Sequence, residues 1–293
     1  MNRLAFASLV AGAAALVSCG KPPGSTGATT PGAAAGQPAP DGKLHDGPPL
    51  VTPGEHMQYA LSLRGIELAT YDLSIGDLTD LGGKKAVVVQ GHAKSIGIAS
   101  MVASIDDRFT SWVDAATGHP LRFQTDEFAS GSSTDIEHAV IEFAARDGDQ
   151  IPVSFHVNDA ATSPDSQKAS QPVAWDYNAF LVALRGWEGP PGSKLELEVF
   201  RSRWMWHVEV TIEGQEQLVT RLGDFPALRI AGRTYKLDRK GARAASSEER
   251  QFTMWISDDD GRVPLQISAT TDYGALDMAI TDYQPGNGAR LRP

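Results

Sequence analysis

The chain has 293 residues, with 26 basic against 36 acidic side chains, a net charge of −10 and a single cysteine. The acidic balance argues against nucleic-acid binding, which needs clustered basic residues, and against electrostatic attraction to anionic lipid. One cysteine excludes an intrachain disulfide framework, so the fold has to be held by its core, and the chain is long enough to bury a substantial one.

The first elements concern export. Arg3 precedes an apolar run over residues 4–17, LAFASLVAGAAALV. That is the length of a secretory h-region and shorter than the roughly 20 apolar residues of a membrane-spanning helix. Ser18 supplies the small residue that cleavage requires, so residues 1–18 are expected to be a signal peptide. Leu16-Val17-Ser18-Cys19 resembles the lipobox of bacterial lipoproteins. The resemblance implies cleavage before Cys19, lipid on its thiol and amino group, and anchoring to a membrane of the cell envelope. Gly20 after the cysteine resembles an outer-membrane sorting signal in diderm bacteria. Residues 20–49 are almost all Gly, Pro, Ala, Ser and Thr, with no aromatic residue and one large aliphatic, Leu44. Such a segment buries too little apolar surface to offset its ordering entropy. Residues 19–49 are therefore expected to be a lipidated cysteine followed by a disordered tether, spanning roughly 30 Å root-mean-square.

From residue 50 to 285 the pattern has period two, the mark of strands with one buried face. Runs rich in β-branched or aromatic residues occur at 59–63, 71–75, 86–90, 108–113, 136–143, 151–156, 227–232, 252–256, 265–270 and 276–281. Gly82-Gly83, Ala116-Thr117-Gly118, Asp147-Gly148 and Asp260-Gly261 mark turns between them. Phe200 to Ile212 reads as one alternating strand, with Phe200, Trp204, Trp206, Val208, Val210 and Ile212 on one face. Arg201, Arg203, His207 and Glu209 then fall on the other. Residues 158–173, rich in Ser, Pro, Ala and Asp, read as a mobile loop. Residues 176–185 break the period and read as a helix. Asp176 can cap its start, Phe180, Leu181 and Leu184 give it an apolar face, Arg185 suits its last turn and Gly186 can end it. The expected fold is mainly β: a curved antiparallel sheet forming a sandwich or an open barrel, with one short helix packed on it as a plug. Residues 286–293 are expected to be a flexible tail.

Several short motifs share an order and spacing with a known family. They are Pro53-Gly54-Glu55, Tyr59 and Gly65-Ile66; Asp176 with Leu184-Arg185; Gly223, Phe225 and Ala227; and Trp255, Ser257, Asp258, Asp259 and Pro264. Together they resemble the exported bacterial family catalogued as domain of unknown function 3108, over about residues 53–284. That family has no assigned activity. The resemblance implies a curved antiparallel sheet like those of periplasmic lipoproteins, some of which carry lipid or assist polysaccharide secretion.

No motif specifies catalysis. H-E-x-x-H, G-x-S-x-G and the phosphate-binding glycine loop are absent, and the seven histidines have no ligand-like spacing. No cofactor and no metal is expected. Asp258-Asp259-Asp260-Gly261 invites a calcium reading, but its glycine is misplaced for an EF-hand loop, and a hairpin tip explains it as well. Arg201, Arg203, Trp204 and Trp206 could form a surface for a sugar or a lipid headgroup through stacking and cation–π attraction. Together with Asp258, Asp259 and Arg262 they form the candidate ligand or partner surface, and Asp176, Phe180, Leu184 and Arg185 the helix plug. The expected function is a non-enzymatic, membrane-anchored envelope lipoprotein that binds an amphipathic ligand (lipid or glycan) or an envelope protein. The alternative is a glycan hydrolase using Asp106-Asp107 with Asp258-Asp259, which would have to face each other across a cleft at roughly 5–10 Å.

Overall fold

The computed structural model describes residues 42, 44–97, 100, 105–128, 134–271 and 273–292. Cys19, the signal and most of the tether lie outside the described residues. Among the described residues the first half of the chain forms β1 (His56–Leu63), β2 (Ile66–Leu81), β3 (Lys84–Ser95), β4 (Asp106–Asp114), β5 (Pro120–Phe128), β6 (Ile136–Ile141), β7 (Gln150–Val157) and β8 (Ser163–Lys168). The short β9 (Ala174–Asp176) leads into helix α1 (Tyr177–Arg185). The second half forms β10 (Lys194–Arg201), β11 (Trp204–Thr220), β12 (Gly223–Lys236), β13 (Arg250–Ser257), β14 (Pro264–Thr271) and β15 (Gly274–Gln284).

All fifteen strands belong to one sheet, in the order β8-β7-β6-β5-β4-β3-β2-β1-β15-β14-β13-β12-β11-β10-β9. It is two antiparallel meanders joined where β1 pairs with β15. β9 and β10 run parallel, and α1 is the crossover between them. Register shifts in β1, β2, β4, β11 and β13 bend the strands, as bulges do. The edges β8 and β9 are only residues 169–173 apart in the chain. The Lys168 N–H donates to the carbonyl of Arg239, just past β12, at 3.1 Å, so the curled sheet brings its β8 edge back against the second meander without closing. A single sheet removes the sandwich alternative and leaves the open barrel.

The inner face is apolar: Leu61, Leu73, Ile75, Val87, Val89, Phe123, Ile141 and Ile151 are fully buried. Nine residues are too few for a helix to hold alone in water. α1 holds because it runs inside the curl with every residue except Ala183 buried. Gly91 makes room for it. A Cβ there would lie 2.2 Å from the Tyr71 hydroxyl and 3.1 Å from Asn178 Oδ1.

Each of the ten strand segments expected from periodicity overlaps a strand. Four expectations are corrected. The supposed loop 158–173 contains β8, whose polar sequence SPDSQK is that of an exposed edge held by its ladder to β7. The supposed single strand from Phe200 is a hairpin. β10 ends at Arg201, β11 begins at Trp204, and Ser202 turns in the left-handed region at φ 53°. A two-residue turn shifts the alternation by one, so Phe200 pairs with Met205 and Arg201 with Trp204. Phe200 therefore leaves the Trp face and Arg201 joins it. Residues 286–292 are not a free tail: Gly288 donates to Pro53 O and Leu291 to Val51 O, both at 3.0 Å. Ahead of β1, Pro49 is buried and Gly42 donates to Lys194 O at 2.8 Å, so docking begins ahead of residue 50.

Candidate functional site

Helix α1 organises three polar constellations. At its start Asp176 caps as expected. Its Oδ1 accepts from the Ala179 N–H at 2.9 Å and from the Ser111 hydroxyl at 2.5 Å. Burial pushes its carboxyl up to about 6 against those hydrogen bonds. Two residues on, Asn178 accepts from the Tyr71 hydroxyl at 3.1 Å and donates to Val89 O and Phe109 O at 3.3 Å. These contacts fix the helix to β2, β3 and β4.

At the helix end Arg185 does more than complement the dipole. Its guanidinium makes a bidentate pair with Glu55 at 2.9 and 2.8 Å, with side chains only 4 % and 2 % exposed. It also donates to Gly261 O at 2.7 Å, and the Tyr283 hydroxyl donates to Glu55 at 3.0 Å. Arg262 supplies partners for carbonyls that the helix leaves open. It donates to Arg185 O at 3.3 Å and Trp187 O at 2.7 Å, and pairs with Asp258 at 3.3 Å. Asp259 shapes the turn that presents Arg262. Its Oδ1 accepts from Ser257 Oγ–H at 2.8 Å, Gly261 N–H at 2.9 Å and Arg262 N–H at 3.0 Å. Arg262, not Gly261, takes the left-handed conformation, with φ 48°. Asp258, Asp259 and Arg262 thus form a clamp on the helix end. No group of three or more His, Cys, Asp or Glu that could hold a metal exists among the described residues.

The paired-carboxylate arrangement does not assemble. Asp106 and Asp107 begin β4, at the end of the sheet where β10 turns into β11. Asp258 and Asp259 lie between β13 and β14, at the opposite end. Asp106 is exposed and bonded to His92 at 2.7 Å, while Asp107 points to the other face.

Between α1 and β10–β14 lies an apolar pocket. Tyr177, Phe180 and Leu181 form one wall; Val199, Trp206, Val208, Phe252, Met254 and Ile267 form the other. Arg201 and Thr234 are its polar members. Its volume is about 40 Å³, well below the roughly 300–1,000 Å³ of a pocket for a whole lipid or drug-sized ligand. Phe180 lines it as expected, whereas Leu184 is buried elsewhere in the core. Leu181, from the helix face read in the sequence, also lines it, and Met254, unremarked there, belongs to it because the curl of the sheet brings strands from far along the chain against one helix.

Beside the pocket the β10–β11 hairpin tip meets an acid row. Asp107, Glu127 and Glu137 stand on the neighbouring strands β4, β5 and β6, all buried. Burial, then the Glu127 carboxylate, pushes Asp107 up to about 7, against its hydrogen bond from the Phe128 N–H at 3.1 Å. Burial also raises Glu127, against the pull of Arg201. Arg203 pairs with Glu137 at 2.9 Å and lies 3.8 Å over the Phe155 ring. Trp204 is ringed by cations: Lys236 at 3.5 Å, Arg239 at 4.5 Å and Arg203 at 4.7 Å from its ring centre. The hairpin thus brings Arg201, Arg203, Trp204 and Trp206 together, and Lys236 at the end of β12 and Arg239 just beyond it join them. Alternation along β12 placed Lys236 in phase with Thr234, but only the strand pairing could show that it faces the tryptophans.

No curated protein matches the chain in sequence. Among solved structures it is similar to a β-barrel-like protein of domain of unknown function DUF1849 from Brucella abortus. That likeness has 10 % identity and TM-score 0.52, over 82 % of this chain and 99 % of that one, and concerns the fold alone. A Bacteroides fragilis protein, provisionally described as exported and of YmcC-like fold, aligns at 5 % identity and TM-score 0.35, over 82 % of this chain and 100 % of its own. A Parabacteroides distasonis protein, provisionally described as a lipoprotein, aligns at 8 % and 0.38 over the same shares. The family model for proteins of unknown function DUF3108 matches residues 58–281, most of the barrel including α1, its clamp and the pocket, and the chain belongs to that family.

Proposed function

We propose that this is a lipid-anchored envelope protein that holds the alkyl part of an amphipathic ligand between α1 and the inner face of β10–β14. The observation that carries the reading is the pocket wall, apolar except at Arg201 and Thr234. A cavity lined in this way and with a few polar groups is what ligand sites have in common. Its small volume admits a short run of methylenes, not a whole lipid, and offers a glycan few hydrogen-bonding groups. Anchoring rests on Cys19 and its lipobox, with Gly20 favouring the outer membrane of a diderm source. The tether would let the barrel stand clear of the bilayer. Trp206 lines the pocket and reports on it directly. Bromine quenches tryptophan on contact, so an 11-bromoundecanoyl chain should quench emission saturably in the full-length protein. The Trp206→Phe variant should lose that saturable part. Identical quenching in both proteins would leave the pocket empty and favour a scaffold that meets partner proteins on its outer face.

A further inference from the structure

We infer that the ligand carries an anionic head, seated against the ammonium of Lys236 while its alkyl part lies in the pocket; this rests on the pocket reading above. β11 places Trp206 directly opposite Lys236, and Thr234, two residues earlier on β12, lines the pocket with Trp206. Cross-strand partners and i,i+2 positions share a face, so Lys236 stands at the pocket's edge.

The chain as a whole is acidic, yet cations gather here. Arg201, Arg203 and Arg239 face Lys236 and, after burial itself, push its ammonium down to about 8. Arg250 sits opposite Thr234. The other cations have negative partners. Arg203 pairs with Glu137, Arg239 with Asp165 at 2.7 Å and Arg250 with Glu248 at 3.4 Å, while Arg201 lies in the field of Glu127 and Asp107. Within this cluster and among the described residues, only Lys236 has no carboxylate partner; its ammonium rests over the face of Trp204. A half-buried cation crowded by like charges gains from one anion, both by charge-assisted hydrogen bonding and by relief of repulsion. A carboxylate or a phosphate supplies that chemistry on a single alkyl chain, with the chain running from Trp206 and Thr234 toward Phe180 and Met254.

The test uses the full chain in phosphatidylcholine nanodiscs, titrated with decanoate, decyl phosphate and 1-decanol. Binding is read by tryptophan emission, with partition into empty nanodiscs subtracted. The anions should bind about tenfold more tightly than decanol, the worth of one charge-assisted contact, and the tighter of the two identifies the head. Lys236→Met should remove about that tenfold advantage of the anions over decanol; Lys236→Arg should keep it. Equal binding of anions and alcohol, or an unchanged advantage in Lys236→Met, would overturn the anionic head and leave the pocket reading standing. Binding of none of the three would overturn both.

Discussion

Asp107 shows how strongly this interior perturbs single groups. It lies on the inner face, beside Glu127, with its carboxyl raised to about 7. A carboxyl raised on folding contributes stability below its unfolded value of about 3.9 and loses it as pH rises through the folded value. Asp176, raised to about 6, acts with the same sign. The wild-type urea midpoint should therefore carry a downward component between about pH 4 and pH 7 from these two groups. Asp107→Asn should flatten that component, most visibly in its upper half, and gain stability relative to wild type near neutrality. Equal slopes in the two proteins would place Asp107 in ordinary contact with water. None of this was readable from the sequence, where Asp107 stood with Asp106 as half of a candidate carboxylate pair. Alternation sends the two to opposite faces, and only the curl of the sheet makes one of those faces an interior.

Several residues that carried the family resemblance converge on the end of helix α1, together with Arg262, which did not carry it. Glu55 comes from the Pro-Gly-Glu opening, Arg185 from the end of the helix, and Asp258, Asp259 and Arg262 from the β13–β14 turn; the chain brings all of them to one helix end. The acidic run looked like a metal or catalytic site because carboxylates in a row resemble one, whereas here they fix a turn. Removing one partner of a buried pair leaves the other uncompensated, at a cost of roughly 3–5 kcal/mol. Arg185→Met should lower stability by about that amount, measured by urea denaturation. Glu55→Gln with Arg185→Met should lose less than the sum of the two single changes, because the pair no longer has an unmatched member. Additive losses would mean that the two side chains act independently. The helix itself, its cap and its buried Phe180 were legible from spacing. The partner of Arg185 was not, because Glu55 lies 130 positions away in sequence.

For the molecule as a whole, period two disclosed ten strand segments and the β class, since strands with one buried face alternate. It failed where the strand is wholly polar, as in β8, and where a two-residue turn preserves an apparent alternation, as at Ser202. The order of strands, the meeting of β8 with the segment after β12, and the pocket between α1 and β10–β14 come from pairing across the chain, to which local pattern is blind. The central claim is that this pocket holds an alkyl chain in the cell. It is tested most directly by taking the protein from its native membranes, removing bulk lipid, unfolding it and identifying the released molecules by mass spectrometry. The comparison is with Val208→Phe, which adds bulk to the pocket wall, after circular dichroism confirms that the variant is folded. An amphipathic species released from the wild type and depleted in Val208→Phe is the predicted result. The same released molecules from both proteins, or none from either, would contradict the account.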